Sequence, residues 1–530
     1  MKKSDISIEY ITHLFEKPSE FQKYIILLSV GLFSTLSFAP IYFFPSYIVA
    51  FPVLLIFSVK SESSQKAFLY GYIFGFAHFF GGLYWIGNSF AVEESIPDGL
   101  GYFMVAFLNL YLSVFPGIVS CGLKLIHKNH DLTKHLFNII LSFSILWSMS
   151  EWLRGHLFTG FPWNLSGYIL GFSDIMLQST AVWGIFTLGF IVLLLTFIPF
   201  LMLEVRYRII APFLGVAAVM GLYFYGSERL SGETEYVEGV NLRIVQANIK
   251  QQDKWPYQNW GKNLVTYMNL SESENKNGTT HIIWPESAVI YSLSEEPSRR
   301  QLISKVLGKG GTIFTGFPRR ERSGGKTKLY NSLIVINEDG ENVATYDKSH
   351  LVPFGEYIPA FIRALFIPLG LDKLFSGGQD FLEGEGPKTL NIVGLPPVGV
   401  LICYEVIFPG QITDPLDRPD WLLNITNDAW YGDSSGPRQH LLQTRVRAIE
   451  EGLPIVRSAG TGISALIDPY GRILDQVQLN TQGIISSELP EKILTSTIYS
   501  VYKEWIFTFM IFILILLNLI LFKKRSTLRR

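Results

Sequence analysis

Apolar residues run through this chain in two rhythms. Over the first 226 residues they come in long stretches, near 24–40, 41–59, 67–90, 101–123, 136–153, 176–203 and 209–226. Most are close to the ~20 residues a helix needs to cross a bilayer. One more, Trp505–Phe522, is interrupted only by Asn518. Between these blocks the rhythm shortens to runs at 241–247, 280–284, 311–315, 330–337, 342–347, 398–403, 420–426, 454–458, 463–468 and 483–488, which predict strands. Helical spacing at 257–270, 298–307 and 437–452 separates some of them, and the alternation predicts a layered α/β domain. The expected organisation is a membrane domain of seven helices over 1–226, an α/β domain over 227–500, and a last transmembrane helix with a basic tail over 501–530. Only Pro40 separates the first two spans, so a tight hairpin and a re-entrant pair both stay open.

Charge orients this pattern. The polar start carries Lys2, Lys3, Lys17 and Lys23 with no convincing cleavage site, which reads as an uncleaved, cytoplasmic anchor. The loops with Lys60 and Lys66, with Lys124, Lys128 and Lys134, and with Arg206 and Arg208 then all fall inside, and Glu93, Glu94 and Asp98 fall outside. Seven spans place residues 227 to about 500 outside, and the eighth returns the chain to Lys523, Lys524 and Arg525. Only 17% of residues are charged and mean hydropathy is +0.27, which agrees with a membrane protein. A net charge of −1 identifies no partner, and two cysteines make no disulfide framework. Cys121 reads as packing; Glu151 and Arg154, near the outer end of the fifth span, read as a snorkelling pair, with substrate contact the alternative.

Three strand ends carry complementary chemistry. Pro396-Pro397 opens the apolar run that delivers Cys403, followed at once by Tyr404 and Glu405. Alone, such a cysteine is more often a small core hydrophobe. His281-Ile282-Ile283-Trp284 is closed by Pro285 and Glu286, and Asn342–Asp347 runs into Lys348. A thiol of ordinary pKa ~8.5 needs a carboxylate to take its proton and a cation to hold the developing negative charge. Glu286, Lys348 and Cys403 supply one of each.

These residues carry a resemblance. Trp284-Pro285-Glu286-Ser287, Tyr346-Asp347-Lys348 and Ile402-Cys403-Tyr404-Glu405 resemble the Glu-Lys-Cys motifs of the nitrilase, or carbon-nitrogen hydrolase, superfamily. His350–Tyr357, Asn424–Tyr431, Gly436–His440, Glu151–Arg154 and Thr159–Trp163 are similar, more narrowly, to its membrane-bound branch, the apolipoprotein N-acyltransferases. The resemblance implies an αββα sandwich on a helical membrane bundle, with Cys403 as nucleophile, Glu286 as general base and Lys348 as the cation at the tetrahedral intermediate. It implies Glu356 as a supporting carboxylate, with Tyr404 and Glu405 flanking the nucleophile and Trp255 near the substrate. For Glu405 and Trp255, structural support and direct function remain equal readings; Asp428 and His440 read as structural hydrogen bonding and His350 as loop scaffold. Family members commonly carry asparagine at the position of Gly460, a departure confined to the loop near the site.

The reaction so implied is ping-pong acyl transfer from a phospholipid, with phosphatidylethanolamine the expected donor, through a Cys403 thioester to the α-amino group of a diacylglyceryl-cysteine lipoprotein. A membrane-tethered amidase using the same residues is the alternative. No metal or organic cofactor is called for, nucleic acid is not an expected partner, and a monomer is expected in the cytoplasmic membrane with the α/β domain on its extracytoplasmic face. Phe361–Phe375 is too apolar for a solvated loop and reads as core or as a lid dipping into the bilayer surface.

Overall fold

The structure is a computed structural model that describes residues 8–91, 99–128, 132–273, 278, 280–323, 325–360 and 380–527. Glu93, Glu94, Asp98 and the apolar segment Phe361–Phe375 lie outside the described residues. The chain divides into two units, Met1–Gly232 with Thr497–Arg530, and Glu233–Ser496.

In the first unit a helix forms on each long apolar stretch: Glu20–Ser34, Pro45–Lys60, Ser64–Leu83, Leu132–His156, Thr180–Thr196, Ile210–Arg229 and Trp505–Thr527. The stretch at 101–123 is divided into Leu100–Leu112 and Val114–Ile126. Pro116 has no N–H to offer the carbonyl four residues earlier, at Leu112, where the first helix stops. Glu20–Ser34 begins on a capping box, with Ser19 Oγ accepting from Gln22 N and Ser19 N donating to Gln22 Oε1 at 2.8 Å. Among the described residues four segments are long and apolar enough to cross a membrane: Leu100–Ile126, His135–His156, Thr180–Leu201 and Val205–Arg229. Pro45–Lys60 and Trp505–Leu521 are apolar but shorter. Asn518, the polar interruption of the last stretch, donates to Ser142 Oγ at 2.8 Å and accepts from Asn138 Nδ2 at 3.3 Å, joining its helix to Leu132–His156.

Glu151 and Arg154 do not snorkel. Both are buried, and each is held by the protein. Glu151 Oε1 accepts from Ser166 N, Ser166 Oγ and Trp147 Nε1 at 2.9, 2.7 and 3.1 Å. Arg154 donates to the carbonyls of Phe161 and Trp163 at 2.6 and 2.7 Å, tying down the Thr159–Trp163 turn. Their local bonds remove the reason for either side chain to reach for an interface.

Among its described residues the second unit contains two six-stranded sheets. The first has the order β12-β1-β2-β3-β4-β5, from Gly483–Pro490, Tyr236–Gln246, His281–Ile283, Thr312–Ser323, Lys326–Asn337 and Asn342–Asp347. The second has the order β11-β10-β9-β8-β7-β6, from Ile473–Val477, Ser464–Ile467, Ile455–Ala459, Trp421–Thr426, Val398–Ile402 and Thr389–Leu390. All ten expected strands are present; β6 and β11 are additional edges. Pairing is parallel along β1-β2-β3 and β7-β8-β9 and antiparallel elsewhere.

Burial explains the layering. Ile244, Ile283, Phe314, Leu333 and Val335 of the first sheet pack in one core with Val400, Ile402, Leu423, Ile425 and Val456 of the second. The opposite face of the first sheet, through Ile282, Ile313, Ile334 and Ile336, packs on helices α1, Trp260–Glu272, and α2, Pro297–Ser304. On the second sheet Arg457, next to Val456, points the other way and reaches Thr444 of helix α3, Ser435–Glu451. The result is an αββα sandwich whose central parallel strands are covered on both faces and read as unbroken apolar runs.

Candidate active site

Parallel central strands deliver their C-terminal ends to one edge of each sheet, the usual place for a site in such folds. β7 ends at Ile402 and Cys403 opens a 3-10 turn with φ +53°. That left-handed conformation costs an L-residue about 1–2 kcal/mol, and here it turns the thiol off the strand axis. β2 ends at Ile283, and Glu286 comes three residues later, with Ser287 also left-handed at φ +48°. Gly316 of β3 lets this turn approach, because a Cβ there would lie 2.6 Å from Glu286 Cα and 2.7 Å from Ser287 N. Lys348 directly succeeds β5, its main-chain N–H donating to Asn331 O at 2.8 Å.

The three side chains are buried and act on one another's charge. Burial pushes the Cys403 thiol up to about 12; Glu286 adds to this and Lys348 opposes it. At rest Cys403 is therefore a thiol. Glu286 is raised as well, by burial first, against the pull of Lys348. Burial disfavours charge on Lys348, but Glu356 and Glu286 outweigh it and keep the ammonium protonated. Glu356 Oε2 pairs with Lys348 Nζ at 2.8 Å, and Asn331 Nδ2 donates to Glu286 Oε1 and to Glu356 Oε1, both at 2.7 Å. Among the described residues, Glu286 Oε2 is buried with no hydrogen-bond partner. A raised carboxylate with one oxygen uncommitted, beside a protonated thiol and a fixed cation, is equipped to move a proton and to hold an oxyanion.

Known proteins place this chain in a family. The carbon-nitrogen hydrolase family model matches residues 241–499, and the apolipoprotein N-acyltransferase N-terminal domain matches residues 30–198. The chain is 35% identical over 520 residues to the apolipoprotein N-acyltransferase of Rhodopseudomonas palustris, covering 94% of this chain and 95% of that one. The chain belongs to the apolipoprotein N-acyltransferase family. It is also 35% identical over 503 residues to the apolipoprotein N-acyltransferase of Rickettsia prowazekii, across 94% of this chain and 98% of that one. Among solved structures it is similar to an amidase from Nesterenkonia sp., at 18% identity and TM-score 0.35, over 52% of this chain and 99% of that one. Family membership makes the protein an N-acyltransferase, and its apolar helices make it a multi-pass membrane protein.

In this N-acyltransferase the remaining expected residues fall at different distances from the chemistry. Glu405 is a keystone: its Oε1 accepts from Tyr346 OH, Ser349 N, Ser349 Oγ and His350 N at 2.8, 2.7, 2.7 and 3.1 Å, and its Oε2 from Ile402 N at 2.6 Å. It thus binds the Lys348 loop to the strand that carries Cys403. His350 stacks on Phe408 at 3.8 Å between ring centroids, and Tyr404 packs edge-on against the same ring. Trp255 is 44% exposed. Asp428 and His440 join Arg457 in a buried network.

Sequence reasoning missed Asn331, Tyr431 and Lys254. Asn331, a polar side chain inside the apolar strand 330–337, was a signal available to it. Tyr431, whose hydroxyl bonds the Cys403 side chain, stood at the end of the Asn424–Tyr431 motif without a role. Lys254 is only 2% exposed.

Proposed function

We propose that the protein transfers an acyl chain from a phospholipid, with phosphatidylethanolamine the expected donor, to the α-amino group of the diacylglyceryl-cysteine of a lipoprotein, by way of a thioester on Cys403. The observation that carries this is the buried, protonated Cys403 thiol set among Glu286, with one uncommitted oxygen, and the protonated Lys348, in a chain of the apolipoprotein N-acyltransferase family. Glu286 takes the thiol proton as sulfur attacks the ester carbonyl, and Lys348 holds the oxyanion. Collapse breaks the ester C–O bond, and the departing lysophospholipid oxygen receives the proton from Glu286. The acceptor amine then attacks the thioester; Glu286 takes its proton and returns it to the Cys403 sulfur as the amide forms.

Eight spans with both termini cytoplasmic, and residues 227–500 on the extracytoplasmic face, accord with the positions of the basic loops. Such an arrangement brings both amphiphilic substrates to the membrane that holds the enzyme.

Intact-protein mass spectrometry tests the reaction. Given phosphatidylethanolamine alone, the wild-type protein should gain one acyl chain on Cys403, removable by neutral hydroxylamine, and a diacylglyceryl peptide with a free amino terminus should discharge it. Cys403→Ala should show no adduct. Rapid release of free fatty acid without peptide acylation would replace the transferase by an amidase-like hydrolase.

A further inference from the structure

We propose that Lys254 is a positioning residue for acyl transfer: it sets a buried positive charge toward Glu286 and ties the sheet edge that carries this base to the edge that carries the nucleophile. The proposal rests on the reading of Glu286 as general base. β1 and β2 are parallel neighbours, so the chain after β1, which bears Lys254, and the chain after β2, which bears Glu286, leave their sheet at the same edge. Lys254 Nζ donates to Asn427 Oδ1 at 3.1 Å, its one hydrogen-bond partner among the described residues. Asn427 directly succeeds β8, the parallel neighbour of the β7 strand that delivers Cys403. The bond therefore runs from one sheet to the other, and Asn427 Nδ2 completes it by donating to Gln251 Oε1 at 2.8 Å.

A buried ammonium with one neutral acceptor is an unstable arrangement unless a nearby anion answers its charge. Burial lowers Lys254 to about 8, even against the opposing pull of Glu286. The charges acting on Glu286 are Lys348 and Lys254, which lower its pKa, and Glu356, which raises it; the neutral Cys403 thiol lies beside it. Lys348 is already shared with Glu356 at 2.8 Å. Lys254 is thus the cation whose field falls on Glu286 without a carboxylate of its own. Removing it should raise the pKa of the base and leave the thiol without an acceptor at lower pH.

The full-length protein in detergent, with iodoacetamide alkylation of Cys403 followed by peptide mass spectrometry between pH 5 and 9, tests this without any lipid substrate. For Lys254→Met the acid limb should move up by about one pH unit, so alkylation slows about tenfold at pH 6 and returns to within about twofold of wild type by pH 8.5. Lys254→Gln, which can still bond Asn427 but carries no charge, should show the same shift and serves if the methionine variant does not fold. In a Glu286→Gln background Lys254→Met should change the rate by less than about twofold, because it acts through the carboxylate. A uniform fall at every pH, an undiminished effect in the Glu286→Gln background, or a wild-type profile would each overturn the proposal. If Glu286→Gln alone keeps the wild-type acid limb, the base reading itself fails, and that result is separate because it appears with Lys254 intact.

Discussion

Two groups of buried charge flank Cys403, and they titrate in opposite directions. In one, Asp428 Oδ1 accepts from His440 Nδ1 and Thr426 Oγ1, both at 2.9 Å, and its Oδ2 from Arg457 at 2.6 Å. Burial would raise Asp428, but Arg457 and His440 outweigh it and hold the carboxylate far below its usual range. In the other, Glu286 has Asn331 on one oxygen and, among the described residues, nothing on the other, and burial wins. Both carboxylates are buried and both face a cation, although Glu286 also meets the like charge of Glu356. They differ besides in completeness. A carboxylate whose oxygens are all bonded is fixed in one protonation state and serves as scaffold; one with an oxygen left over can exchange a proton.

The sharpest way to break this contrast is to neutralise each carboxylate or its partner in turn. Glu286→Gln keeps an acceptor for Asn331 and should leave stability within about 1 kcal/mol of wild type, while slowing Cys403 acylation by about 10²–10⁴-fold. In the wild type the same rate should fall about tenfold per pH unit once Glu286 is protonated, and because its pKa is raised, that limb should lie above the ordinary glutamate range. Acylation by the glutamine variant at the wild-type rate would remove the distinction. In the complete cluster, Arg457→Met leaves Asp428 Oδ2 and Asn424 Oδ1 without their donor and should destabilise the protein by about 3–5 kcal/mol, read as a large fall in melting temperature. A variant of wild-type stability but low activity would show that this cluster, too, takes part in the chemistry.

A smaller effect sharpens the picture between the two. Tyr431 bonds the Cys403 side chain through its hydroxyl, and Tyr431→Phe removes that oxygen alone. The loss of one hydrogen bond worth about 1 kcal/mol should slow acylation by about three- to tenfold with little change in melting temperature. An unchanged rate would confine the proton chemistry to Glu286.

Much of the fold and site was legible because the strands speak plainly. Val398–Ile402 and His281–Ile283 are fully buried, and their apolar runs ended where polar chemistry began, so Cys403 and Glu286 could be placed at strand ends from composition alone. Residues whose importance lies in a partner far along the chain were harder. Asn331 reaches Glu286 and Glu356 across 45 and 25 residues, and Lys254 meets Asn427 across 173. No local pattern encodes such pairings. The edge strands β6 and β11 escaped because one is two residues long and the other, Ile473–Val477, has two exposed polar residues near its centre. Glu151 and Arg154 were misjudged for a related reason: hydropathy reports that charge is costly in an apolar segment, but not that a turn fifteen residues away will satisfy it.

The backbone at Cys403 has an evolutionary consequence. A glycine there would adopt φ +53° freely, relieving about 1–2 kcal/mol of strain while giving up a similar amount of packing from the small thiol side chain. Folding is therefore nearly indifferent to the loss of the thiol. Quality control that senses unfolding would pass such a protein, and only the loss of acyl transfer itself could purge the mutation.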